Sequence, residues 1–147
     1  MHPMKTAISL SRIGSELGGP FGAVIVKDGK IICGTYNKVV PANDPTAHAE
    51  ILAIRKACEI LRTHDLSGCE IHCSCEPCPM CHFAIQWAGI DTVYCAATRY
   101  DAKRAGFSDQ HMHNQFIVGA LWKPVYHDMD HADEAAEILR QWEGARY

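Results

Sequence analysis

Two short segments hold the residues that could do chemistry. SCEPCPMC, residues 74–81, sets Cys75, Cys78 and Cys81 at intervals of three, and PTAHAEIL upstream places His48 and Glu50 as an H-x-E pair. Thiols so regularly spaced commonly bind metal, and the neighbours decide which. A bacterial ferredoxin run adds a fourth cysteine and a proline after such a triplet. Ile85 and Gln86 stand there instead, so the run stops. A closed structural zinc site needs four protein ligands; Cys73 and Cys75 are the spare thiols, but Cys73 belongs to the buried side of an alternating segment. His48, Cys78 and Cys81 form the better set: one imidazole and two thiolates, with the fourth position left to water, as in a catalytic zinc site. Two thiolates neutralise Zn²⁺, and a neutral imidazole leaves the ion able to acidify water. Glu50 is then a carboxylate without a ligand's role, placed to carry protons.

This chemistry needs two helix starts to meet. Pro79 follows Cys78, so Cys78 sits near an N-cap and Cys81 comes three residues on. There the unpaired N–H groups and the helix dipole favour thiolate. His48 opens another helix, in which Ala47, Ile51, Ile54, Cys58 and Leu61 recur at helical steps and predict the buried stripe; Asp44 is its expected N-cap, with Pro45 first in the helix. Around these lie a helix over residues 3–17, and FGAVIV and IICGTY as antiparallel strands joined at Asp28-Gly29. CEIHCS alternates as a strand, with Cys69, Ile71 and Cys73 on one face. The helix from Pro79 carries Met80, Ala84, Trp87 and Ala88 on one side, and DTVYCAA completes a parallel strand–helix–strand crossover. A short helix around Asp101 to Ala105, a brief strand near Val125 and a last helix bearing Ala135, Ile138, Leu139 and Trp142 follow. The reading is a single α/β domain over residues 1–147, a mixed sheet with helices on both faces.

The totals narrow the classes. A chain of 147 residues, 48% hydrophobic and 21% charged, builds a core without disulfides. The start lacks a secretory layout and no apolar run reaches membrane-spanning length. Eight cysteines in such a chain therefore read as reduced thiols in a cytoplasmic protein. Cys33, Cys58, Cys69, Cys73 and Cys95 fit as small core residues, and Cys75 as a free thiol near the metal. His111, His113, His127 and His131 take the default of surface histidine. A net charge of −3 gives no footprint for a nucleic-acid backbone, which makes nucleic acid an unexpected partner.

H-x-E with P-C-x-x-C is the signature of zinc deaminases. GGPFGAVIVKDGKII, NDPTAHAEILAIRKAC and SCEPCPMC resemble the cytidine and deoxycytidylate deaminase superfamily, and within it the bacterial guanine deaminases of the small zinc type. The resemblance runs from about Gly18 to Asp109, with a weaker echo in the tail. It implies a three-layer α/β/α sandwich with a five-stranded mixed sheet, one Zn²⁺ per subunit, and a homodimer that exchanges its C-terminal segment, about 120–147. It implies zinc on His48, Cys78 and Cys81, and Glu50 as proton carrier. A nucleobase would be held by Asn37, Asp109, Phe21 and Trp87, with Tyr147 reaching the site from the tail. The Ala49 N–H, at the helix start, is a candidate for steadying the reacting centre. His82-Phe83 and Gly89 depart from the branch pattern. The implied reaction is hydrolysis of guanine to xanthine and ammonia. A cytosine or other small-heterocycle deaminase, a tRNA adenosine deaminase and a non-catalytic zinc-binding relative are the alternatives.

Overall fold

Asp28 and Gly29 turn the chain back on itself. Both have positive φ, 50° and 73°, and Lys27 pairs with Lys30 across the two-residue turn. That backbone twist matches the twist of the flanking strands. The computed structural model describes residues 2–118, 136, 137, 140 and 141. Its elements run α1 (Pro3–Leu17), β1 (Gly22–Lys27), β2 (Lys30–Tyr36), α2 (Val39–Ala42), α3 (Ala49–Leu61), β3 (Cys69–Cys75), α4 (Pro79–Trp87), β4 (Thr92–Ala97), α5 (Arg99–Arg104) and α6 (Gln110–Val118).

Among the described residues the sheet has four strands in the order β2-β1-β3-β4. β1 is antiparallel to β2 and β3, whereas β3 and β4 are parallel, joined through α4. The mixed sheet and the crossover are as the sequence implies. The expected strand near Val125 and the last helix lie outside the described residues. No helix among those described is long and apolar enough to cross a membrane.

Two cores clamp the sheet. On one face Val24 and Val26 meet Ala7, Met4 and Leu10 of α1. The approach is close: a Cβ on Gly22 would lie 2.2 Å from the Ala7 carbonyl oxygen, so only glycine fits there. On the other face Ala23, Ile25, Ile71 and Cys73 pack against α3 and α4.

The face of α3 differs from the expected stripe. Ala49, Ala53 and Ala57 are fully buried, whereas Ile54, Cys58 and Leu61 pack at the margin. Small side chains let the helix lie close on the sheet, so volume rather than hydrophobicity chooses the buried face. In α4 the buried residues are Pro79, Cys81 and Ile85, and of the expected Met80 side only Ala88, just beyond the helix, is buried. Asp44 is not the N-cap of α3. Its carboxylate accepts from the Thr46 N–H and hydroxyl at 2.8 and 2.7 Å, closing a turn of its own, and His48 takes the cap position. β3 is buried on both faces, His72 and Ser74 included, because it is a central strand. Cys95 is exposed, contrary to its expected place in the core.

Candidate active site

His48 and Cys78 are the N-caps of α3 and α4, both in extended backbone conformation, and the two helix starts converge. His48 Nδ1 lies 3.6 Å from Cys78 Sγ and 3.5 Å from Cys81 Sγ. All three donor atoms fall within 4.8 Å of one another, the one such cluster of metal-capable side chains among the described residues. Tetrahedral zinc with ordinary bond lengths sets an N···S edge of about 3.6 Å. The two N···S spacings therefore fit zinc without rearrangement, and the nitrogen turned toward the metal position is Nδ1.

The electrostatics suit a cation. The hydrogen bond with Cys81, and after it that with His48, holds the Cys78 thiol well below the usual range, although burial opposes this. Cys81 is pushed up, first by that same bond and then by burial. The bond to Cys78 raises the His48 imidazole above its ordinary value. Glu50, the second residue of α3, is only 7% exposed, and burial pushes its carboxyl up. Its Oε2 lies 3.5 Å from Cys81 Sγ, so it stands beside the ligand set.

A cavity of about 330 Å³ opens over this cluster. His48, Glu50 and Cys78 line its floor, and Phe21, Asn37 and Asp109 contribute to its walls. Asn37 is 6% exposed, and its Oδ1 accepts the Val39 N–H at 3.0 Å. That leaves its NH₂ as the group it can offer a ligand. Cys75 also lines the cavity as a thiol, pushed up to about 11 chiefly by burial.

Other expected contacts are placed differently. Trp87 is 69% exposed and does not line the cavity. It ends α4, nine residues and about 13 Å of helix from Cys78. Ala49 buries its side chain in the core; as the first residue of α3 its N–H has no acceptor within the helix. Tyr147 lies outside the described residues.

Among the lining residues missed from the sequence are Phe107, Glu76, Arg99 and Val40. Phe107 meets Phe21 edge-on, with ring centroids 5.2 Å apart. Its position two residues before Asp109 was the available signal. Glu76 Oε2 accepts the Arg99 N–H at 3.0 Å and ties the metal loop to the start of α5. His113 is half-buried against Asp109 and is not the surface residue expected.

This fold and donor set match a known class: the chain belongs to the family described as the cytidine and deoxycytidylate deaminase zinc-binding region, which matches residues 2–97. It is accordingly a zinc-dependent aminohydrolase. Guanine deaminase of Bacillus subtilis (strain 168) is 50% identical over 124 residues, spanning 83% of this chain and 76% of that protein. A solved structure of guanine deaminase from Bacillus subtilis superposes with a TM-score of 0.89 and 40% identity, covering 99% and 96% of the two chains. The tRNA-specific adenosine deaminase of Aquifex aeolicus (strain VF5) is 43% identical, over 70% of this chain and 68% of that protein.

Proposed function

We propose that the chain hydrolyses guanine to xanthine and ammonia, with zinc held by His48, Cys78 and Cys81. The observation that carries this is the meeting, in one cavity of about 330 Å³, of the metal-capable cluster, Glu50, an amide and a carboxylate. Phe21 and Phe107 give a flat base an aromatic wall. Asn37 offers donors and Asp109 acceptors, and guanine presents both complementary kinds of edge. The 50% identity to a guanine deaminase supports the same substrate.

Zinc, when bound, supplies the Lewis acidity that brings the pKa of water to about 7. Glu50 takes a proton from the water that adds to C2 and places it on the neighbouring ring nitrogen. As the tetrahedral carbon collapses, Glu50 takes the second proton, from the hydroxyl now on C2, and delivers it to the departing amine, so guanine and water become xanthine and ammonia. The Ala49 N–H steadies negative charge at the reacting centre.

The proposal extends to the whole chain as one deaminase domain whose sheet gains a fifth strand near Val125, completing a three-layer sandwich. It works in the cytoplasm as a homodimer, with the segment about 120–147 exchanged so that Tyr147 closes the cavity. Val93 and Tyr94 are large apolar groups left exposed, and β4 is exposed along almost its whole length, which supports a partner on that side.

Ammonia release from guanine, adenine, cytosine, guanosine, a triazine and a tRNA anticodon stem tests the substrate. Guanine is expected to be turned over fastest. Equal or faster release from another base, or from the stem, moves the assignment to that substrate. Zinc-loaded protein that turns over none of them is a binding protein.

A further inference from the structure

We propose that His113, backed by Arg99, is a positioning residue that fixes Asp109 as a one-sided hydrogen-bond acceptor facing the cavity. The inference rests on the reading of Asp109 as a contact to the base. Asp109 stands at the start of α6, where its carbonyl accepts the Met112 and His113 N–H groups at 2.9 and 3.2 Å. His113, one helical turn on, brings Nε2 to 3.1 Å from Asp109 Oδ2. Its other ring nitrogen, Nδ1, lies 3.5 Å from Arg99 Nη1.

The direction of these bonds follows from what each group can do. A guanidinium only donates. The Nδ1 facing Arg99 is therefore the acceptor, and the ring hydrogen sits on Nε2, where it is donated to Oδ2 of Asp109. One carboxylate oxygen is thereby occupied, and Oδ1 is left to accept an N–H from a ligand. A base that presents a lone pair at that point meets an acceptor and is disfavoured.

Arg99 is itself held. Its backbone N–H donates to Glu76, its Nη2 donates to the Tyr100 hydroxyl at 3.3 Å, and the Thr98–Asp101 capping box fixes the turn of α5 that carries it. Arg99 and Asp109 line the cavity, whereas His113 does not, so His113 acts on a ligand only through Asp109. The side chains of His113 and Asp109 are 16% and 25% exposed, which shields their bond from water.

A double-mutant cycle on guanine kinetics tests this, using His113→Ala, Asp109→Ala and the double variant, with His113→Gln as the conservative replacement that can still donate. His113→Ala is expected to raise KM about tenfold, the weight of one hydrogen bond to a charged group, with kcat within about threefold. His113→Gln should recover most of the loss, and His113→Ala should cost nothing more once Asp109 is Ala. A loss of the same size in both backgrounds, or none in either, overturns the proposal. If Asp109→Ala leaves KM unchanged, it is the reading of Asp109 as a base contact that fails. A second readout needs no substrate: imidazole ¹⁵N shifts should report hydrogen on Nε2 of His113 in the wild type and mixed tautomers in Arg99→Ala. A dominant Nδ1–H form in the wild type overturns the proposal by itself.

Discussion

Glu50 is a carboxyl sealed beside two sulfurs and an imidazole, touching the ligand set through Cys81. Its proposed work is proton transfer rather than ligation, so the two properties should separate. Glu50→Ala should keep zinc near one per chain while lowering kcat by roughly 10²–10⁴-fold, checked by metal analysis alongside ammonia release. Cys81→Ser, by contrast, removes one of the three donors and should lose the metal itself. The ligand types and Glu50 were legible because two short words in the chain hold them. Which nitrogen of His48 faces the two sulfurs was not, since it depends on how α3 meets α4. Phe107 escaped because the fold brings it to Phe21. His113 escaped because the helix that sets it one turn from Asp109 was not expected.

At the scale of elements, the hairpin, the start of α4 and the crossover were readable from turn residues and alternation, whereas α3 was expected to be capped by Asp44 and is capped by His48. The buried face of α3 was not readable, because close packing on the sheet favours Ala53 and Ala57 over larger neighbours. Apolar periodicity alone carries no information about how near the sheet lies. The segment before β1 shows how an element governs the site. Gly19 has a φ of +153°, and a Cβ there would sit 3.0 Å from Asn37 Oδ1. Gly19→Ala should therefore displace the Asn37 amide as well as strain the backbone. The expected outcome is a loss of about 1–3 kcal/mol in a denaturation curve and a several-fold rise in KM for guanine. A variant with wild-type KM would show that Asn37 is not held from this side.

For the whole molecule, zinc held by the proposed ligands would join the starts of α3 and α4, so binding should register as stability. Free zinc at about 100 times its Kd contributes about 2.7 kcal/mol, and for a chain of this size that moves Tm by roughly 5–10 °C. A chelator should lower Tm by that amount and restored zinc should recover it, read by calorimetry. Chelation should also open Cys78 to alkylation. Cys33, which burial pushes up to about 11, should stay unreactive at neutral pH before and after. The account as a whole stands on the composition of the metal site, and X-ray absorption at the zinc edge reads it directly. The predicted result is one zinc per chain with two sulfurs at about 2.3 Å and two nitrogen or oxygen neighbours at about 2.0–2.1 Å. Zinc surrounded by three or four sulfurs, or protein that binds no zinc, would contradict it.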